Sequence, residues 1–103
     1  MTTEIRNARI DRVFLGLEDH GFFIVSLMLD YGDSGQGYQR VLDEKTTRQR
    51  LMNLMQVLGL GPDDSFQDLA GRFVRADIRA GLVVRLGHIT RDMWTQEGTE
   101  GGE

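Results

Sequence analysis

Residues 22–30, Phe-Phe-Ile-Val-Ser-Leu-Met-Leu-Asp, are apolar at every position except Ser26 and Asp30. In an extended chain successive side chains face opposite sides. Phe23, Val25, Leu27 and Leu29 therefore line one face, and Phe22, Ile24 and Met28 line the other. A strand that is apolar on both faces belongs at the centre of a sheet, or beneath a cover. A chain of 103 residues has room for one domain, so the rest of the fold is expected to assemble around this strand.

The flanking segments supply the neighbours. Ile5 to Leu17 reads as one long strand, with Ala8 and Ile10 in one phase and Val13, Leu15 and Leu17 in the other. A change of phase within one run predicts a bulge, here near Asp11-Arg12. Asp19-His20-Gly21 are turn residues. Tyr31 to Gly37 is a glycine-rich loop, and a third strand is predicted at about residues 38–42. The clearest helix follows at about residues 47–58. Leu51, Leu54, Met55 and Leu58 form its buried stripe, and Thr46 with Gln49 has the spacing of a capping box. Gly59 and Pro62 end it. Ser65 and Asp68 can box a short helical turn through Leu69. Phe73–Ile78 and Leu82–Ile89 are two further strands, joined at Arg79-Ala80-Gly81. Thr90 to Gln96 is expected to form one helical turn.

The predicted fold class is α+β, mainly β, in the order β-β-β-α-β-β. Two architectures share this order: a small five-stranded OB-like barrel, or a curved antiparallel sheet with one main helix. Residues 1–96 are read as a single compact domain. Residues 97–103, Glu-Gly-Thr-Glu-Gly-Gly-Glu, are read as a flexible acidic tail with nothing to bury.

Composition removes several function classes. No run approaches the ~20 apolar residues of a membrane helix. The N-terminus lacks the basic and apolar regions of a secretory signal, so a cytoplasmic location is expected. The chain has no cysteine, which excludes disulfides and thiolate chemistry. The net charge is −4, and without the tail the chain carries 12 basic and 13 acidic side chains. Eleven of the bases are arginine and one is Lys45. A near-neutral body lacks the basic footprint usual for nucleic-acid binding without forbidding it.

No catalytic constellation can be assembled. Gly32-Asp33-Ser34-Gly35 resembles the nucleophile segment of chymotrypsin-like proteases, but that fold is about twice as long and needs a base held against the serine. Only His20 and His88 are available as that base. Glycines 32, 35 and 37 lack the Gly-Lys-Ser/Thr of a phosphate loop. Glu18, Asp19, His20, Asp30 and Asp33 reach one metal ion only if the first turn gathers them, and turn chemistry already explains the first three. His88 is expected to be half-buried and hydrogen-bonded. The expectation is a non-enzymatic protein with no cofactor and no metal site.

Leu15-Gly16-Leu17-Glu18-Asp19-His20-Gly21, Leu29-Asp30-Tyr31-Gly32, Gly35-Gln36-Gly37 and Leu42-Asp43 form an LG-x-EDHG…LDYG…GQG…LD pattern, followed by Gly87-His88 and Trp94. In this the chain resembles a family of small proteins of tailed bacteriophages and prophages. It departs from them at Tyr38-Gln39-Arg40-Val41, where similar proteins carry more glycine and an aromatic. The resemblance implies a phage accessory protein in a bacterial host cell and carries no enzymatic activity with it. By analogy with anti-CRISPR inhibitors, the expected role is protein–protein binding that blocks a host nucleic-acid-handling protein. A homo-oligomer is compatible with that role.

Two sets of contact residues follow. For a protein partner they are Glu18 and Asp19 in the first turn, with Tyr31, Asp33, Gln36 and Tyr38 around the glycine loop, where carboxylates and tyrosines serve as anchors. The alternative is an OB-fold-like single-strand nucleic-acid-binding accessory of phage replication or recombination. Its contacts would be Arg72, Phe73, Arg75, Arg79 and Arg85 on the last hairpin, with further arginines (Arg6, Arg9, Arg12) on the first strand.

Overall fold

A computed structural model describes residues 3–95. The strands are β1 (Thr3–Leu17), β2 (Phe23–Asp30), β3 (Gly35–Val41), β4 (Phe73–Arg79) and β5 (Leu82–Gly87); a helix α1 (Thr47–Val57) and a 3₁₀ turn (Phe66–Leu69) lie between β3 and β4. All neighbours are antiparallel, in the order β3-β2-β1-β4-β5. The doubly apolar segment is thus an interior strand, as its pattern requires. The bulge falls between Ile10 and Arg12, where the β1–β2 register shifts.

The sheet is curved and open, so the closed-barrel alternative is corrected. β3 and β5 approach one another but exchange no ladder bonds. Arg40 Nη2 donates to the Val84 carbonyl at 2.8 Å, and Gln36 Nε2 donates to the Gly81 carbonyl at 2.8 Å. The physical reason lies after β5. The chain folds back there, with Thr95 N–H bonded to the Leu86 carbonyl and Trp94 bridged to Gly87. This return segment occupies backbone groups of β5 that closure would need. It also replaces the helical turn expected from Thr90 onward. Gln96 and the 97–103 tail lie outside the described residues.

Other boundaries moved for local reasons. β3 begins at Gly35, because Tyr31–Ser34 alone makes the turn, closed by Tyr31 N–H to the Ser34 carbonyl at 2.8 Å. A Cβ at Gly35 would sit 2.8 Å from the Leu29 carbonyl oxygen, so a side chain there would force the two strands apart. The Thr46–Gln49 box does not form. Asp43 starts α1 instead, its carboxylate accepting from Lys45 N–H, Thr46 N–H and Thr46 Oγ1 at 2.8–2.9 Å. These bonds, that of Thr46 Oγ1 first, hold the Asp43 carboxyl below its ordinary pKa. Gly59, at φ 85°, closes α1 in a Schellman end: its N–H donates to the Gln56 carbonyl and the Leu60 N–H donates to the Met55 carbonyl. The Ser65–Asp68 box forms as expected.

The core lies on one face of the curl. Ile10, Leu27, Leu29, Val74 and Leu86 are fully buried and meet Leu54, Val57 and Leu58 of α1 and its C-terminal end. Leu51 packs at the margin of this cluster. Phe23, on the same face of β2 as Val25, Leu27 and Leu29, is partly exposed and outside the core.

Candidate binding surfaces

The geometry of β1 creates the first surface. β1 pairs with β4 only through Arg9, and beyond the bulge it pairs with β2 alone. Residues 12–17 and 23–28 thus form a ribbon that projects past β4, backed on its other side by β3 through Ile24–Met28. Glu18 N–H bonds to the Phe22 carbonyl, so Glu18 faces β2. Because backbone polarity alternates along an antiparallel strand, Val13, Leu15 and Leu17 direct their N–H and C=O groups to the opposite edge. Among the described residues no strand pairs with that edge. Phe14, Leu17 (69% exposed) and Phe22 (58%) stand open beside it. No charge, lysine or proline guards residues 13–17, the usual protection of an open edge.

The ribbon ends in the first nominated pair. The Glu18 carboxylate accepts from His20 N–H at 2.6 Å, Phe22 N–H at 3.1 Å and His20 Nδ1 at 3.1 Å. Burial raises its pKa, but these bonds, that of Phe22 first, bring it below the ordinary value. Glu18 is therefore an ionised staple of the turn, and Asp19 beside it is exposed.

The glycine-loop residues form a second cluster at the other end of the sheet. Arg6 donates to Asp33 at 3.0 Å and lies 5.0 Å over the Tyr31 ring; the Tyr31 hydroxyl meets Gln36 at 3.4 Å. The hydrogen bond and charge of Arg6 lower the Asp33 pKa, while burial raises that of Tyr31. Tyr38 does not join them. It is 4% exposed, on the core face opposite Leu27, with the Arg40 guanidinium 4.3 Å over its ring. As a surface contact it is a correction: the β2–β3 register sets it beside Leu27, on the face that the core covers.

The arginines of the last hairpin are engaged within the fold. Asp77 is fully buried and accepts from Arg85 Nε at 2.7 Å and Arg79 Nη2 at 3.2 Å. Arg75 binds the carbonyls of His88 and Arg91. Arg75 and Arg85 lie 4.7 and 4.4 Å from the Trp94 ring centroid. Arg72 reaches Asp64 and the Gly59 and Asp68 carbonyls. Phe73 alone of the set is well exposed. Trp94 lies flat on Gly87, where a Cβ would come within 2.7 Å of the ring. Gly87→Ala is expected to displace the indole and cost about 1–3 kcal/mol, the range for overpacking. Tryptophan emission should shift to the red and the melting temperature fall; unchanged values would show that the ring yields freely.

His88 is half-buried, its Nδ1 accepting from Thr90 and Arg91 N–H at 3.1 Å. Among the described residues no group of acidic side chains and histidines is placed to hold a metal, and no helix is long and apolar enough to cross a membrane.

The third surface was not nominated from the sequence. A cleft of about 800 Å³ opens between α1 and the β3 side of the sheet, reaching Trp94 and Thr95. Lys45, Arg48 and Arg50 border it from the helix side and Arg40 from β3. A signal was present in the chain. Gln49, Asn53 and Gln56 follow the i, i+4, i+7 spacing and make a polar stripe beside the apolar one.

Compared with known protein families, curated proteins and solved structures, the chain has no significant match in any of the three.

Proposed function

We propose that this chain is a non-enzymatic interaction protein that takes a strand of another polypeptide onto the free edge of β1. The observation that carries the reading is the projecting ribbon, whose unpaired edge offers the backbone groups of Val13, Leu15 and Leu17 beside exposed Phe14, Leu17 and Phe22. Strand addition draws affinity from main-chain hydrogen bonds and specificity from alternate side chains. The ionised Glu18 and exposed Asp19 at the tip favour a partner strand that is apolar and flanked by a basic residue. The resemblance to tailed-phage proteins favours a bacterial host protein as that partner, with inhibition of nucleic-acid handling as the outcome.

Variants separate this edge from the glycine-loop site. Leu15→Pro removes an outward N–H without breaking a bond to β2, and Leu17→Asp places a charge on a mostly exposed position. Both should fold. Immobilised wild-type protein is expected to retain a partner from bacterial extract, with at least tenfold loss in both ribbon variants and little change in Asp33→Lys. Sedimentation of the purified chain tests a second copy as the added strand. Retention unaffected by the ribbon variants, or lost only in Asp33→Lys, would place the contact elsewhere and overturn the reading.

A further inference from the structure

We infer that a second copy of this chain covers the free edge of β1, the two ribbons pairing antiparallel about a twofold axis at Leu15. The inference rests on the strand-addition reading above and names the strand that the edge takes when no other partner is present. A strand that suits this edge is apolar and flanked by a basic residue. The edge itself, Arg12-Val13-Phe14-Leu15-Gly16-Leu17, has that sequence. The ribbon is therefore complementary to its own copy. Register selects the axis. Val13, Leu15 and Leu17 carry the outward backbone groups. An axis at Leu15 sets Leu15 opposite Leu15 and Val13 opposite Leu17 of the second copy, so every outward N–H meets an outward C=O. An axis at Phe14 sends Leu17 against Asp11 in the bulge, and one at Gly16 sends Val13 against Asp19 in the turn. Each of these leaves outward groups without an extended partner.

The side chains agree with the axis at Leu15. Residues directly opposite one another in an antiparallel pair share a face. On the face of Val25 and Leu27, exposed Leu15 meets its copy and exposed Leu17 meets Val13. On the other face Phe14 stands opposite Gly16, which has no side chain to obstruct the ring. Beyond them Arg12 stands opposite Glu18. Arg12 is exposed and makes no ion pair among the described residues, and Asp19 beside Glu18 is exposed as well. Asp11, one residue before Arg12, already pairs with Arg9 at 2.8 Å, so its charge is matched within its own copy. The twofold repeats the Arg12–Glu18 contact on both sides of the axis. Size sets the affinity. A standard interface buries about 1,600 Å², and a contact of one short strand falls below it. The dimer is accordingly weak, in the micromolar range, and a better strand displaces it. Dimer and partner complex are alternatives on one edge.

Sedimentation equilibrium of the full chain from about 5 to 500 μM brackets a micromolar constant. Wild type is expected to pass from monomer to dimer across this range. Leu15→Pro, which removes an outward N–H, should keep the chain monomeric. Arg12→Glu should weaken the dimer at least tenfold, and Asp33→Lys at the glycine loop should leave it unchanged. Thermal melts establish that each variant folds; if Leu15→Pro does not, Arg12→Glu at its exposed position carries the comparison. Leu15→Cys reads the register. Opposed Cα atoms of a hydrogen-bonded pair lie about 5.5 Å apart, within the span of about 4.4–6.8 Å that a disulfide bridges. The chain has no cysteine of its own. Under oxidised glutathione, Leu15→Cys should therefore form a reducible dimer at least tenfold faster than Met52→Cys, at an exposed position on α1. A chain that stays monomeric at the highest concentration overturns the inference and leaves strand addition by a foreign partner standing, because retention from extract tests that reading separately. A dimer indifferent to both Leu15→Pro and Arg12→Glu overturns it too, as does cross-linking no faster at Leu15 than at Met52.

Discussion

Replacing Arg85 by methionine is expected to lower the unfolding free energy by about 3 kcal/mol, and replacing Asp77 by leucine by less than half as much. The asymmetry follows from burial. The Asp77 side chain is 1% exposed, whereas Arg79 and Arg85 are about a third exposed. Removing the carboxylate leaves two partly exposed guanidiniums that water can reach. Removing Arg85 leaves a carboxylate in the interior with one hydrogen-bonded arginine, Arg79, at 3.2 Å. Breaking a buried pair from one side costs about 3–5 kcal/mol, and the remaining partner places this case at the lower end. Loss of the cation over Trp94 adds roughly 0.5–1 kcal/mol. Asp77→Leu with Arg85→Met should recover most of the deficit, because an apolar pair of similar volume carries no desolvation penalty. Urea titrations of the two single variants and the double variant measure all three. Equal losses in the single variants would mean that the pair is solvated.

The second large effect is expected at the helix. Leu54 is 3% exposed and belongs to the same cluster as Val25, Leu27 and Tyr38. Leu54→Ala should cost about 2–5 kcal/mol, the range for a buried leucine that leaves a cavity. The loss is expected in the lower half of that range, because Leu54 also borders the cleft and water can fill part of the space. Met52, two residues earlier and largely exposed, serves as the comparison. Met52→Ala should change stability by no more than about 0.5 kcal/mol. A loss below about 1 kcal/mol at Leu54 would show that α1 does not seal the core through this residue.

Much of the fold was legible because its signals are local. The phase change from Ala8 and Ile10 to Val13, Leu15 and Leu17 located the bulge, since one extra residue reverses every later side chain. The 3.6-residue stripe located α1, and Ser65 with Asp68 marked the 3₁₀ turn. Where local signals competed, the reading slipped. Thr46 looked like a cap, but Asp43 upstream offers a carboxylate to three donors at once and starts the helix instead. Gly35 and Gly37 looked like loop because glycine disfavours strands, yet close approach to Leu29 requires Gly35 within one.

The candidate surfaces divide in the same way. Sequence alone determined five antiparallel strands and one helix in their order, the two-faced interior strand, and the absence of thiol chemistry, because alternation, periodicity and composition are properties of the chain itself. Tertiary structure decided that the barrel stays open, because Trp94 and Thr95 return onto β5. It also decided that Tyr38 is buried, that the last-hairpin arginines turn inward onto Asp77 and Trp94, that residues 12–17 outrun β4, and that Lys45, Arg48 and Arg50 meet Arg40 across a cleft. Each of these depends on which segments become neighbours, and residues far apart in sequence become neighbours only through register and curvature.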